Sequence, residues 1–390
     1  TARPAPPAVV HFRRGVSALA NFALLVVTSP LSAPTASVRS VRPVFFPLDE
    51  ELALLPGRLT PTLHGWLVRL SSYLPFAQAA SLLSEFAHVR VSEGSAQRLT
   101  YAAGSAVVVQ QTLQADRLVR EAPAPRPGPA CLLLSADGAM VPLVKGEWAE
   151  VKTLVAGHVT AEAQPDGLPL VQTSQLSSFS RLIEAETFTY LATVETYRRG
   201  VERAERVVAV SDGAEWLQQL FDVQCPQAAR ILDFPHAAQR LSHIASTVFG
   251  EGTTEAKTWY AIARTERKER GPASVLTAVQ ELCDAHPELE PLAEDAAYLL
   301  KRRALMDYPR YQAAGLPIAS GCVESANKLV VEARLKGAGM HWQRAHVNPM
   351  VALRNVVCSE RWGEVWPAVV ATHRAEARLC LLYTSDAADE

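Results

Sequence analysis

Short apolar runs that each lead into an aspartate are the feature that most restricts the fold of this chain. Runs of this length and composition are typical of buried strands bounded by turn residues. A buried strand must hydrogen-bond its backbone to neighbouring strands, so these runs predict one sheet with acidic residues where its strands end. The runs are 130–135, 207–210 and 229–232, and the aspartates that follow them are Asp137, Asp212 and Asp233.

The segments between these runs complete a mixed α/β plan. Residues 148–159 alternate enough to predict a strand antiparallel to the first, across a turn at Lys145-Gly146. Residues 175–205 are predicted to form a long helical stretch, and residues 215–221 a further helix. Only helical periodicity remains over 237–305, so we expect a sheet covered by helices, with a large helical insertion.

The first part of the chain has the pattern of a small helical domain. We predict one amphipathic helix over 75–83 and a second over 93–103, with Ser92 as its N-cap and a break at 89–91. Two short helices across a tight break are typical of a helix-turn-helix, although plain helical packing modules share this pattern. Residues 121–129 then contain four prolines, which is typical of a semi-rigid linker.

The composition favours a nucleic-acid partner only through local charge. The 390 residues carry a formal net charge of −2, whereas phosphate contacts require lysine and arginine. Residues 301–344 contain eight basic and three acidic residues, although a solvated helix face would have a similar composition. The six cysteines are scattered without a CxxC pair, so we expect neither a zinc site nor a disulfide framework, as in a reducing cytoplasm.

The two ends of the sequence differ from the rest. Arg13-Arg14 precede an apolar run over 16–27, which is the outline of a secretory signal, but the run is too short to cross a bilayer. We interpret residues 1–45 as a disordered leader or translated upstream sequence. Residues 381–390 resemble a translated sequencing adapter fused to a truncated reading frame, and no function is inferred from them.

Each acidic residue also has an ordinary structural explanation. Asp-Gly pairs are most often turns, and Asp233 could cap the helix that follows it. Glu324 has Lys328 at the i,i+4 spacing of a common surface pair. Taken together, however, acids at strand ends and a glutamate on the helix that starts at Gly321 favour a single site. Two aspartates and a glutamate can hold two divalent cations that activate a nucleophile at a phosphodiester.

Further motifs follow one another in an order that carries a family resemblance. The acidic motifs are Asp137-Gly138, Asp212-Gly213-Ala214, Leu232-Asp233-Phe234-Pro235-His236 and Glu324-Ser325. The supporting motifs lie at 46–52, 59–61, 146–152, 308–311, 315–318, 334–342 and 352–354. Over about residues 45–370 the chain resembles the DDE transposases of bacterial insertion sequences, in the Kra-type group related to the Mutator-like superfamily.

The resemblance implies an RNase H-like core and a set of site residues. Asp137, Asp212 and Glu324 would be the three catalytic acids and the metal ligands. Asp233 and His236 match the Asp-x-x-His signature of the superfamily. His236 would orient a phosphate or a metal-bound water, with Asp233 as its support. The alternative that Asp233, and not Asp212, is the second metal ligand stays open.

The resemblance also implies the chemistry and the cofactors. Water activated by Mg²⁺ or Mn²⁺, with two ions in the site, would hydrolyse a phosphodiester at the end of the element, and the freed 3′-hydroxyl would then attack target DNA. Hard oxygen ligands favour these ions over zinc. Trp342 would either stack on an unpaired base or pack into the core. The candidate phosphate contacts are Arg334, Lys336, Arg344 and Lys328.

The expected domains and partners follow from these observations. The domains are a leader (1–45), a helical DNA-binding domain (46–120), a proline-rich linker (121–130), an RNase H-like catalytic core (131–236 and 316–345), a helical insertion (237–315), C-terminal helices (346–380) and an artefactual tail (381–390). The expected partners are DNA, as the terminal repeats and the target, and further copies of the chain on that DNA. We expect a cytoplasmic, nucleoid-associated protein with no membrane partner.

Two other functions remain open. A DNA-binding remnant of a transposase would bind the ends of the element without cutting them. An RNase H-like host nuclease would cut branched or hybrid nucleic acid with little end-sequence preference and no strand transfer. A haloacid-dehalogenase-like phosphatase is disfavoured, because residue 139, two positions after Asp137, is Ala and not a second acid.

Overall fold

The computed structural model describes residues 54, 55, 59–165, 167 and 169–386, with side chains as far as residue 377. The predicted leader at 1–45, the motif at 46–52 and the last four residues of the predicted tail lie outside the described residues. The chain divides into two compact units. One unit comprises the described residues up to Ala106 and from Gly363 onward, and the other comprises Val107–Trp362.

Helices make up most of both units. In chain order the α-helices are α1 (Pro61–Tyr73), α2 (Phe76–Ala87), α3 (Glu93–Glu121), α4 (Ala185–Arg198), α5 (Glu215–Gln224), α6 (Phe234–Phe249), α7 (Thr254–Arg270), α8 (Ala273–Ala285), α9 (Glu290–Lys301), α10 (Tyr308–Ala313), α11 (Gly321–Ala326), α12 (Ala333–Leu335), α13 (Arg344–Cys358) and α14 (Trp362–Asp386). A π-helical segment, Asn327–Glu332, joins α11 to α12. Short 3₁₀ helices lie at Val144–Gly146, Val201–Arg203 and Arg303–Leu305.

The predicted pair of helices and the N-cap of the second one are confirmed, but the second helix is not short, because it continues from Glu93 to Glu121 instead of ending at 103. Helix α2 ends at His88, which adopts the left-handed conformation that stops a helix. The Ser92 hydroxyl accepts a hydrogen bond from Ser95 N at 3.2 Å and so caps α3 as predicted. Leucines and alanines of α1, α2 and the first turns of α3 form a common core, with Leu67 fully buried in it.

The second unit is built on a mixed five-stranded sheet. Its strands are β1 (Cys131–Pro142), β2 (Trp148–Glu162), β3 (Leu170–Arg181), β4 (Arg206–Ser211) and β5 (Ala229–Leu232). The strand order is β3-β2-β1-β4-β5. Strands β1, β2 and β3 pair antiparallel, whereas β4 runs parallel to β1 and β5 runs parallel to β4. The α/β class predicted from the apolar runs is therefore confirmed.

Helices cover both faces of this sheet, because alternate residues of a buried strand face opposite sides. Leu132 and Leu134 of β1 pack in one cluster with residues of α4 and α5. Leu133 and its neighbours on β4 and β5 pack in the other cluster, with helices α6 to α10. The predicted helical insertion thus supplies the second layer over the strands that carry the acidic residues.

The helical stretch predicted for 175–205 is confirmed over Ala185–Arg198 but is wrong at its start. Residues up to Arg181 form β3, and helix α4 begins only at Ala185. Strand β3 is rich in serine, threonine and glutamine, and most of its first half is exposed. It pairs only with β2 among the described strands, so it lies at an edge where no apolar alternation is required.

The prediction that the first strand ends before Asp137 is also wrong. Strand β1 continues through Asp137 to Pro142, because β2 pairs with it along this whole length, with Asp137 opposite Thr153. Gly138 is opposite Lys152 and does not form a turn. A Cβ atom there would lie 2.2 Å from Glu150 Oε1, so the glycine leaves room for the Glu150 side chain of β2.

None of the helices among the described residues is both long and apolar enough to cross a membrane.

Candidate active site

Asp137 lies on β1 just beyond the point where the parallel strand β4 stops pairing with it. The last residues in register are Ser135 and Val210. One oxygen of the Asp137 carboxylate accepts a hydrogen bond from Gly138 N at 2.7 Å, and the other accepts one from Asn327 Nδ2 at 3.0 Å. The end of β4 therefore leaves this carboxylate at an open edge of the sheet, held by two donors.

Asp212 follows β4 directly and lies at the same edge of the sheet. Its carboxylate accepts a hydrogen bond from Ala214 N at 2.9 Å, a turn geometry that fixes the side chain. Gly213 has a φ of 80°, which favours glycine. The main chain is held from the helical insertion, because the Tyr298 hydroxyl donates to Asp212 O and Arg302 donates to Gly213 O at 2.7 and 2.9 Å.

The two aspartates influence each other through their charges. Burial raises the pKa of Asp137, and the negative charge of Asp212 raises it further. Hydrogen bonds from Gly138 and Asn327 and the charge of His236 oppose this shift without cancelling it. The negative charges of the two carboxylates at this partly buried edge are therefore not fully balanced by their surroundings. A cation between them would relieve the repulsion.

Asp233 has a different environment, because it is fully buried and surrounded by donors. It caps α6 through His236 N at 2.9 Å and contacts His236 Nδ1 at 2.6 Å, while its other oxygen accepts from Ser320 N at 2.6 Å. Burial raises the pKa of this carboxyl, but the hydrogen bonds from His236 and Ser320 outweigh it and leave the pKa below its usual value.

His236 is held by Asp233 and lies near the pair of aspartates. Its hydrogen bond to Asp233 raises the pKa of the imidazole, and the charges of Asp212 and Asp137 raise it further, against the opposing effect of burial. The predicted Asp-x-x-His motif therefore positions a half-exposed imidazole whose positive form is favoured beside two acids.

Glu324 lies in the first turn of α11, and this helix packs against β1 and β2. Asn327, which follows the helix, donates a hydrogen bond to Asp137 on β1. Glu324 is three positions before Asn327, so the two residues lie on the same side of this helical segment.

Asn327 is a site residue that the motifs did not indicate. It is 6% exposed, and its Oδ1 has no hydrogen-bond partner among the described residues. It begins the π-helical segment, a distortion that is common at functional sites. Arg354 donates to the carbonyls of Leu329 and Val330 in this segment and so compensates for the altered backbone pairing. The i,i+3 spacing from Glu324 is the only sequence signal that could have identified Asn327.

The basic residues expected to contact phosphate differ in accessibility. Lys328 and Arg344 are exposed, and Lys336 is paired with Glu332 at 2.7 Å. Arg334 is 3% exposed, and its guanidinium lies 5.1 Å from the centre of the Trp342 ring. Trp342 itself is buried and donates a hydrogen bond to Leu335 O. Of the two expectations for Trp342, stacking on a base or packing into the core, the second therefore holds.

The donor set partly fits the expected metal ions. Asp137 and Asp212 offer hard oxygen ligands at one edge of the sheet, as Mg²⁺ and Mn²⁺ prefer. Within the described ranges, no group of three or more His, Cys, Asp or Glu side chains is close enough to hold a metal ion. Asp137 and Asp212 are linked by their electrostatic interaction, and Glu324 does not complete a group of three with them.

Comparison with known proteins adds no assignment: no family model matches the chain, and no curated protein matches it.

Proposed function

We propose that the chain is a DNA transposase that hydrolyses a phosphodiester at the ends of an insertion sequence and transfers the freed strand to target DNA. The observation that carries the proposal is the pair of Asp137 and Asp212, which lie at one sheet edge and repel each other beside a helix that bears Glu324. A divalent cation bound between the two carboxylates would offset this repulsion.

The topology supports an RNase H-like core. An antiparallel unit of three strands, extended by two strands parallel to the first, agrees with the mixed sheet that the family resemblance implies. The acids occupy the middle of the first strand and the end of its parallel neighbour, and a helix after the large insertion supplies the glutamate. In this proposal α1 to α3 belong to a helix-turn-helix-like domain that recognises the element's ends.

The proposed roles of the residues follow from their contacts. Asp137 and Asp212 would hold Mg²⁺ or Mn²⁺ together with Glu324, and the bound ions would supply an activated water and stabilise the leaving oxygen. Asn327 holds the Asp137 carboxylate in one orientation. His236, fixed at Nδ1 by Asp233, would donate a hydrogen bond from Nε2 to a phosphate oxygen.

Asp233 is the less suitable second metal ligand. Its side chain is inaccessible to solvent and its carboxylate accepts hydrogen bonds from Ser320 N, His236 N and the His236 ring, whereas Asp137 is partly exposed and accepts two. Asp212 is partly exposed, and one of its carboxylate oxygens accepts a hydrogen bond from a single backbone amide. Its remaining lone pairs are available to a cation. We therefore assign the second ligand to Asp212 and a supporting role to Asp233.

The test is cleavage of a labelled duplex that carries the terminal repeat of the element, with Mg²⁺ or with EDTA. The variants are Asp137→Asn with Glu324→Gln, and Asp284→Asn as a control for loss of a surface carboxylate. We expect Mg²⁺-dependent nicking at the repeat boundary and joining of the 3′ end, both lost only in the double variant.

The other outcomes identify the competing functions. Equal binding of the repeat by the wild-type and double-variant proteins, without cutting by either, would indicate a DNA-binding remnant. Cutting of branched or hybrid substrates without preference for the repeat and without strand joining would indicate a host nuclease.

A further inference from the structure

A groove of about 650 Å³, lined mainly by residues with polar side chains, lies beside the candidate active site. Asp212 and His236 line one part of it, and Tyr298 of α9 lines another. Along α6 its lining continues with Arg240 and His243. The α6 residues are four and seven positions after His236, so they lie on one face of the helix, at about 6 and 10 Å along its axis.

A buried carboxylate fixes the two basic side chains of the groove. Asp295 is 2% exposed and accepts hydrogen bonds from Arg240 Nη1 at 2.8 Å and from His243 Nδ1. The guanidinium of Arg240 also lies 4.7 Å from the centre of the Tyr298 ring. Both side chains are thereby ordered without a bound ligand, so that little conformational entropy would be lost when they bind one.

The same side chains keep donors available to solvent. Arg240 is 48% exposed and uses one of its five N–H groups on Asp295, and His243 is 58% exposed with Nε2 uncommitted among the described residues. Ser242 and Ser246 add hydroxyl groups to the lining. A groove with a preorganised guanidinium fork, an imidazole and hydroxyls is suited to a phosphate oxyanion.

A purely structural salt bridge between α6 and α9 explains only part of this arrangement. A structural role accounts for the burial of Asp295, but one partner would be enough to neutralise it, and neither partner would need to face the groove. Continuity of the groove with Asp212 and His236 indicates that one chain-like ligand could contact both places.

We propose that this groove binds the phosphate next to the one that reacts at Asp137 and Asp212, on the same nucleic-acid strand. The inference rests on the proposed function and makes it more specific. Arg240 and His243 contact the neighbouring phosphate, while His236 contacts the reacting one. The helical insertion then has a defined role, because α9 supplies the Asp295 that orders these donors.

The experiment measures binding and not cleavage. A fluorescein-labelled single strand and a duplex with a 3′ overhang, both of arbitrary sequence, are titrated with the full chain in EDTA at several salt concentrations. The main variant is Arg240→Gln with Asp295→Asn, which replaces a charged pair by a neutral amide pair and leaves no buried charge unpaired. His243→Gln is the second variant. Arg270→Gln is the control, because Arg270 is exposed and its partner Glu266 lies on the same helix.

We expect the double variant to bind about tenfold more weakly and to reduce the slope of log K against log salt by about 0.7–0.9, which is the loss of one phosphate contact. The His243→Gln variant should have a smaller effect, and the control should bind within about twofold of wild type. Thermal unfolding of each variant must remain cooperative and near that of wild type. Should the double variant be poorly folded, the same comparison with His243→Gln decides.

The outcomes separate this inference from the proposed function. Unchanged affinity and salt slope in a folded double variant would overturn the phosphate site, even if the wild-type protein cuts repeat DNA. If the double variant loses binding and the wild-type protein shows no Mg²⁺-dependent cutting, the phosphate site is supported and the proposed transposase function is overturned. A wild-type protein that binds neither oligonucleotide would overturn both.

Discussion

Asp233 and Asp137 are acids of one site with opposite environments. Three hydrogen bonds from His236 and Ser320 surround the buried carboxylate of Asp233 and lower its pKa. The carboxylate of Asp137 is also partly buried, but the charge of Asp212 adds to the effect of burial and its pKa is raised. The difference teaches that burial alone does not identify a functional acid. A fully compensated acid supports structure, whereas an under-compensated acid is available for a ligand.

The substitution Asp137→Asn tests this contrast with the largest expected effect. If Asp137 serves a ligand, cleavage of repeat DNA should fall by at least about 10³-fold, because an amide binds a divalent cation far more weakly than a carboxylate. The same change removes a repelled charge, so the free energy of unfolding in EDTA should stay constant or rise. The measurements are single-turnover cleavage and urea unfolding. A variant that cuts normally, or one that is clearly destabilised, would contradict the contrast.

The reciprocal change, Asp233→Ala, should act mainly on stability. It removes the N-cap of α6 and leaves buried N–H groups of His236 and Ser320 without an acceptor. We expect the free energy of unfolding to fall by about 2–4 kcal/mol. Asp284→Ala provides the control, since Asp284 is exposed and its carboxylate accepts a hydrogen bond from Gln280 on the same helix. Equal stability of the two variants would show that the donors around Asp233 contribute little.

Asn327 is hydrogen-bonded to Asp137, so its substitution tests the Asp137 side of the contrast. Asn327→Ala removes the side-chain donor to Asp137. We expect cleavage and the affinity for Mn²⁺, measured by electron paramagnetic resonance, to fall by about 10–100-fold. Asn355→Ala is the matched control, because Asn355 is equally buried but bonds Ser178 and Ser180 of β3. If both variants lose stability yet bind Mn²⁺ equally, Asn327 is only a packing residue.

Much of the sheet could be predicted from the sequence, because the central strand β4 is buried along almost its whole length and the short edge strand β5 is still buried at Ile231 and Leu232. Strands β4 and β5 were found at their positions, and Asp212 and Asp233 follow them as expected. Strand β3 could not be found in this way, since an edge strand with an exposed first half carries no apolar pattern. The polar sequence of residues 170–181 is compatible with several conformations until β2 pairs with it.

The candidate site could be predicted only in part from the sequence. Motif order indicated the acids, but the partners that distinguish them come from distant parts of the chain. Asn327 and Tyr298 reach Asp137 and Asp212 across 190 and 86 positions. No local pattern encodes such contacts. The burial of Arg334 was missed for the same reason, because its partner Trp342 is buried only through the tertiary fold.

The smallest expected effect is a difference in pH dependence, and it tests the contrast without DNA or metal. The pKa of Asp137 is raised in the folded protein, so the ionised carboxylate destabilises the fold. Protonation removes this destabilisation as the pH falls from the folded-state pKa to the unfolded-state pKa. Asp137→Asn should therefore gain stability over wild type at neutral pH, and the gain should shrink on acidification within that window.

The pKa of Asp233 is lowered, so its stabilising contribution persists above the unfolded-state pKa and is lost only below it. The deficit of Asp233→Ala should accordingly stay constant through the first window and shrink at lower pH. Urea unfolding in EDTA across the acidic range measures both differences. If the two differences change in the same pH window, or the gain of Asp137→Asn grows on acidification, the opposite compensation inferred for these two acids is wrong.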